Sequence, residues 1–175
     1  PKPNIFLGIG SGSHAEQTAK VMLEFEKVCL NEKPDVVLVV GDVNSTLACA
    51  LVAAKMNIHV AHVEAGLRSR DRTMPEEINR LVTDSISDFL FTPSEDADFN
   101  LIQEGVAKEK IHFVGNVMID TLLKFKGQAA EQSKIKLSHP DYVLVTLHRP
   151  SNVDNKTIFE NILTTLSEIS KTIPI

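Results

Sequence analysis

Apolar positions along the chain follow two alternating rhythms. Short apolar runs stand at about 4–8 (Asn4-Ile5-Phe6-Leu7-Gly8), 35–40, 58–63, 88–92, 111–115 and 141–147. They read as β-strands. The run Val36-Val37-Leu38-Val39-Val40 is continuously apolar and mostly β-branched, which predicts a parallel strand covered on both faces. Between the runs, apolar residues recur at helical spacing. Val21, Met22, Phe25, Val28 and Cys29 do so within 13–30, and Ile158, Ile162, Leu166 and Ile169 within 154–171. Further helices are predicted at 44–56, 75–87, 94–104 and 117–130. Strand and helix alternate almost throughout, so the predicted fold class is α/β, an open and mostly parallel sheet with right-handed crossovers.

Polarity divides this pattern once. The stretch from Lys126-Gly127-Gln128 to Ser138-His139-Pro140 is polar and ends in a proline, after which a new strand-like run begins at Tyr142. We therefore expect one partial domain over 1–125, a linker at 126–140, and the start of a second domain over 141–175. A lone strand and helix cannot bury both faces, and Ile173-Pro174-Ile175 reads as the lead-in to a further strand.

Composition narrows the classes. The chain has 175 residues, 43% of them hydrophobic, and a net charge of −5, which suits a globular domain and argues against a general nucleic-acid binder. No run of about eighteen apolar residues is present to span a membrane. No apolar signal core follows Pro1-Lys2-Pro3, so a cytoplasmic location is expected. Cys29 and Cys49 form no CxxC or Cys/His pattern, and neither a metal nor a cofactor is expected.

Charge distribution adds a sharper signal. Of 18 basic residues only five are arginine, and Arg68, Arg70, Arg72 and Arg80 fall within thirteen positions; Arg149 follows a histidine. Planar guanidinium groups grouped in this way suggest localised anion chemistry, with surface ion pairs as the plainer alternative. Unusual polar residues also follow strand after strand: Gly41-Asp42, Glu64, Gly115-Asn116 and His148-Arg149. In open α/β sheets ligands bind beyond the carboxyl ends of the strands. Asp42 is a candidate carboxylate beside a helix N-terminus, or a turn acid in a segment that Asn44 or Ser45 would cap. Glu64 lies in His62-Val63-Glu64-Ala65-Gly66-Leu67-Arg68. Its small neighbours would let backbone approach a ligand, while a Glu64–Arg68 pair is the structural alternative. His62 shares a strand face with apolar positions and reads as a hydrogen-bonded core histidine. Pro75-Glu76-Glu77-Ile78-Asn79-Arg80 opens a helix with proline and acids at its positive end, which accounts for one glutamate and leaves the other as a candidate acid or base. His148 is a candidate for proton transfer or phosphate contact. His14, His59, His112 and His139 join no constellation. Gly8-Ile9-Gly10-Ser11-Gly12-Ser13 is no dinucleotide loop, because Ser13 takes the third glycine position; Ser11 or Ser13 serves better as a helix cap.

These residues together resemble the non-hydrolysing UDP-N-acetylglucosamine 2-epimerases, the WecB/MnaA-type family. The likeness rests on Gly41-Asp42 with Ser45-Thr46, the run from His62 to Arg68, Pro75-Glu76-Glu77 with Asn79-Arg80, Thr83-Asp84, Gly115-Asn116 with Ile119-Asp120, and Thr146 with His148-Arg149. It covers essentially the whole chain. The resemblance implies a Rossmann-like, two-domain architecture of the GT-B type, only part of which is present. It implies interconversion of UDP-GlcNAc and UDP-ManNAc by elimination of UDP, proton exchange at C2 and re-addition. Asp42, Glu64, Glu76 and His148 are the implied catalytic groups. Arg68, Arg80, Asn116 and Arg149 are matched positions expected to bind substrate. No cofactor, nucleic acid or membrane is implied, and the full-length protein is expected to be a homodimer.

The family is about twice this length. Amino-terminal strands with an early basic motif, and most of the second domain, are missing here, so these 175 residues alone are expected to be inactive. Many members carry a glutamate two residues after the His-Arg pair, where this chain has Ser151. A hydrolysing epimerase, a GT-B glycosyltransferase and a non-catalytic sugar-nucleotide sensor are the competing readings.

Overall fold

A computed structural model describes residues 2–132 and 141–175. Contacts divide the chain into two units, Pro1–Phe125 and Lys126–Ile175.

The first unit is built on four strands, β1 (Val36–Val40), β2 (His59–Val63), β3 (Phe89–Thr92) and β4 (Ile111–Phe113), paired in that order and all parallel. Each crossover holds a helix: α2 (Asn44–Lys55), α3 (Pro75–Ile86) and α4 (Glu95–Gln103), the last followed by a 3₁₀ turn at Lys108–Lys110. Ahead of β1, α1 (His14–Glu32) packs on α2. A capping box fixes its start: the Ser13 hydroxyl accepts from Glu16 N–H, and the Glu16 carboxylate accepts from Ser13 N–H. α2 lies between α1 and α3. Its alanines at 48, 50 and 53 are fully buried and let neighbouring backbones come close.

Side chains of β1 alternate. Val37 and Val39 join Cys29, Ala50, Val52, Ala53 and Val60 in the core. Val36, Leu38 and Val40 on the other face are 46%, 58% and 50% exposed, so the expected two-sided cover is absent among the described residues. Two expected strands are also absent. Residues 4–8 are irregular, with Phe6 84% exposed, because a strand needs a neighbour and β1 forms the sheet edge among the described residues. Beyond β4, the N–H groups of Val114 and Gly115 both donate to the Thr92 carbonyl, which ends the ladder two residues early.

The helix α5 (Val117–Gln132) continues past the boundary between the units, so its last two turns occupy 126–132 of the expected linker; 133–140 lie outside the described residues. In the second unit α6 (Pro150–Val153) and α7 (Lys156–Ile169) follow an irregular segment at 141–149. That segment is the second absent strand. One backbone bond, from Val143 N–H to the Pro174 carbonyl at 2.8 Å, aligns it with the chain after α7, too little pairing to make a ladder.

A second small core joins Ala65, Leu90 and Leu101, and brings α4 against the turn after β2. Gly66 in that turn has φ +81°, and a Cβ there would lie 2.9 Å from the Ala97 carbonyl carbon. Gly66→Ala meets both a left-handed backbone and a close helix, and should cost about 3 kcal/mol of stability. A shift of the urea midpoint at unchanged slope is the expected result.

Candidate functional site

Because all four strands are parallel, their carboxyl ends form one edge of the sheet. β1 and β2 are adjacent there, with Val40 opposite Val63. The last ladder bond runs from Gly41 N–H to the Val63 carbonyl at 3.0 Å. Gly41 then turns with φ +71°, and Glu64 turns beside it with φ +69°. A glutamate in the left-handed region is uncommon and must be held there by its surroundings. The Glu64 carboxylate lies over Gly41, 3.5 Å from where a Cβ would stand. Asp42 and Glu64 are thus neighbours across two strand ends.

The turn holding Glu64 is pinned on several sides. Ala65 N–H donates to the Phe91 carbonyl at 3.1 Å, Gly66 N–H to the Asp84 carboxylate at 3.0 Å, and the Asn100 amide to the Gly66 carbonyl at 3.0 Å. The smallness of Ala65 and Gly66 is therefore used against β3 and α4.

Arg80 on α3 ties the edge together. One guanidinium nitrogen donates to Asp42 at 2.5 Å and the other to Glu77 at 2.7 Å. Asn79, beside it, donates to the Asp42 carbonyl at 2.8 Å. Asp42 is a paired carboxylate. It does not cap α2, whose N-cap is Val43 with no side-chain bond, so neither Asn44 nor Ser45 takes that place.

Glu77, the second acid of the Pro-Glu-Glu run, is 2% exposed. Its carboxylate accepts from the N–H groups of Ser69 and Arg70, each at 2.9 Å, from the Ser69 hydroxyl at 3.0 Å, and from Arg80. Burial opposes its ionisation, but these bonds outweigh burial and lower its pKa to about 2. Glu77 is thus the anchor of the arginine-rich loop. Glu76, one residue earlier, is half-buried and has no hydrogen-bond partner for its carboxylate among the described residues.

The expected substrate role of Arg68 meets a guanidinium turned inward. Its side chain is 2% exposed and pairs with Asp84 at 2.8 Å and with Glu104 at 2.5 Å. Burial opposes the charge, but bonds to Glu104 and Asp84 overcome this and raise its pKa. Arg68 does not pair with Glu64; its guanidinium bridges Asp84 and Glu104. Arg70 donates to Asn100, and Arg72 is exposed. The anions that Arg68 and Arg80 bind in this structure are protein carboxylates.

His62 lies where the strand pattern puts it, fully buried, with Nδ1 2.6 Å from Asp84 and Nε2 2.8 Å from the Gly41 carbonyl. Asn116 follows β4, is exposed, and accepts from Met118 N–H to start α5. By strand spacing it stands roughly 14 Å along the edge from Asp42. His148 and Arg149 are exposed in the second unit, directly ahead of α6. A groove of about 520 Å³ runs beside the edge, lined by residues that include His14, Met22, Asn44, Pro75, Ile78 and Asn79. Among the described residues no group of three or more His, Cys, Asp or Glu side chains could hold a metal ion.

Sequence reasoning named Glu77 and Asp84 without giving either this role, and passed over Glu104. A signal for the first two was present: Glu77, Arg80, Thr83 and Asp84 recur at helical spacing, so α3 turns a polar stripe inward. The pKa of Glu77 gives this stripe a pH signature. Its folded pKa lies below the ordinary value of 4.5, so its contribution is complete above that range and is lost as pH falls towards about 2. Glu77→Gln should lower stability at neutral pH and flatten the loss on acidification. Urea unfolding at a series of pH values checks both.

The family model described as UDP-N-acetylglucosamine 2-epimerase matches residues 1–175. The UDP-N-acetylglucosamine 2-epimerase of Methanocaldococcus jannaschii is 52% identical over 97% of this chain and 48% of its own length. A crystal structure of that enzyme in complex with UDP-GlcNAc and UDP matches 98% of this chain and 49% of that one, at TM-score 0.87 and 51% identity. The UDP-2,3-diacetamido-2,3-dideoxy-D-glucuronate 2-epimerase of Pseudomonas aeruginosa is 47% identical over 97% of this chain and 48% of its own. The chain spans about half the length of these relatives. By the full extent of the match, this chain belongs to the UDP-N-acetylglucosamine 2-epimerase family of isomerases.

Proposed function

We propose that the full-length protein interconverts UDP-GlcNAc and UDP-ManNAc, and that Asp42, Glu64 and Glu76 exchange the proton at C2. The observation that carries this reading is the placement of Asp42 and Glu64 on adjacent strand ends, with Arg80 joining Asp42 to α3. The ligands named for the M. jannaschii structure support the substrate class.

The chemistry balances as follows. A carboxylate takes the C2 proton, the C2 electron pair forms the C1–C2 double bond, and the C1–O bond breaks with its electrons leaving on UDP. A second carboxyl group returns a proton to the opposite face of C2 as the UDP oxygen attacks C1. Two acids on different sides of the sugar allow inversion, whereas a single base tends to return the proton where it was. General acid–base groups supply about 10²–10⁴-fold each, so stabilising the departing diphosphate matters as much. We assign part of that task to His148 and Arg149, as the start of a nucleotide-binding domain over 141–175. Arg80 and Asn116 are assigned to substrate orientation. The partial first domain over 1–125 supplies the acids.

The P. aeruginosa relative favours a second substrate. Its named sugar carries an acetamido group at C2, as UDP-GlcNAc does, and differs at C3 and C6. The residues named above address C2 and the diphosphate, so both sugars fit the same steps.

Incubation of the full-length protein with each sugar nucleotide in D₂O separates the readings. We expect deuterium at C2, a product epimeric at C2, and no free sugar. Free N-acetylmannosamine would instead mark a hydrolysing enzyme, and transfer to an acceptor without C2 exchange a glycosyltransferase. Asp42→Asn, Glu64→Gln and Glu76→Gln should each lower kcat by about 10²–10⁴-fold. A wild-type rate in any of them removes that residue from the mechanism.

A further inference from the structure

We infer that His62 is a positioning residue for the reaction proposed above, held with a hydrogen on each ring nitrogen between the Gly41 carbonyl and the Asp84 carboxylate. The inference rests on that functional reading only for its effect on turnover.

Both ring nitrogens face oxygens. Nε2 lies 2.8 Å from the Gly41 carbonyl, which can only accept. Nδ1 lies 2.6 Å from Asp84 Oδ1. The other carboxylate oxygen of Asp84 already accepts from Gly66 N–H at 3.0 Å and from Arg68 at 2.8 Å. A carboxylate held by those two donors is ionised, so the hydrogen between Nδ1 and Oδ1 belongs to the ring. A neutral imidazole would be one hydrogen short, and two sets of lone pairs would face each other in a buried place.

His62 is 0% exposed, and the side chains of Asp84 and Arg68 are each 2% exposed, whereas Glu104, on the far side of Arg68, is 38% exposed and keeps its contact with solvent. These four groups come from β2, the turn after it, α3 and the end of α4.

Its position ties the cluster to turnover. The Gly41 carbonyl belongs to the residue before Asp42. Gly66, held by the same Asp84, stands two residues after Glu64. Gly41 and Glu64 both have left-handed backbones, at φ +71° and +69°. One imidazolium thus links the two strand ends that carry the candidate acids, and sets the gap between their carboxylates. A shift of about 1 Å in such a gap is enough to cost about 10²-fold in rate.

The test uses the full-length protein in two arms. In the first, ¹⁵N-histidine-labelled wild type is read by NMR at neutral pH. We expect one histidine to show one-bond N–H couplings on both ring nitrogens, with slow exchange, and this signal to be absent from His62→Gln or Asp84→Asn. A single protonated ring nitrogen on His62 overturns the inference. In the second arm, His62→Gln and Asp84→Asn are expected to lower kcat by about 10–100-fold with KM little changed, and the double variant to add no further loss. A folded variant with wild-type kcat, or a loss confined to thermal stability, overturns the positioning role. If neither variant folds, the ring-nitrogen signal of the wild type decides. If the wild type turns over neither sugar nucleotide, the functional reading fails, and the same NMR result still decides the protonation of His62.

Discussion

Asp84 carries the negative charge around which the carboxyl edge of this sheet is arranged. One oxygen meets His62 and the other meets Gly66 and Arg68. Through His62 it reaches the Gly41 carbonyl, and through Arg68 it reaches Glu104 at the end of α4. Strand β2, the turn after it, α3 and the end of α4 therefore share one electrostatic centre, buried at His62, Asp84 and Arg68 and open to solvent at Glu104. Hydrophobic packing brings these elements together but does not specify a turn to within a few tenths of an ångström. Hydrogen bonds to a charged group do so more firmly, because breaking one leaves a buried ion short of a partner.

Arg80 repeats the device nearer the surface. It joins Asp42, at the end of β1, to Glu77, which in turn holds the backbone of Ser69 and Arg70. The arginine grouping in the sequence thus has a local cause for two of its members: Arg68 and Arg80 each bridge two carboxylates. Lysine would not do this as well, since a guanidinium offers separate nitrogens in a fixed plane. Asp42 thus stands beside a cation, whereas Glu64 and Glu76 have no such partner among the described residues.

Much of this fold was legible in the chain. β1 to β4 and the helices between them follow from apolar runs alternating with helical spacing, because burial on a sheet or a helix imposes those periods locally. The Ser13 cap and the buried His62 were legible for the same reason. The runs at 4–8 and 141–147 look as strand-like as the others and form no strand, since a strand is defined by its neighbour and the local pattern does not say whether one is present. Site residues were legible as types at strand ends. Their roles divided on tertiary facts: Arg68 turns inward because Asp84 and Glu104, remote in sequence, wait there. Ala65 and Gly66 are small because β3 and α4 are close, a constraint carried by Leu90, Ala97 and Leu101, all remote in sequence.

The adjacent acids Glu76 and Glu77 show how one helix start gives two like side chains different surroundings. Consecutive helical residues point about 100° apart, so the two carboxylates cannot share an environment. Glu77 is enclosed by donors from the loop and from Arg80, and its pKa is lowered to about 2. A group held so firmly in one protonation state is a poor acid–base catalyst near neutral pH, where a proton must be both taken and given back. The same four donors that disqualify Glu77 from proton transfer are what hold the loop and Arg80 in place. Glu76 makes none of these bonds, so of the pair Glu77 alone holds the loop.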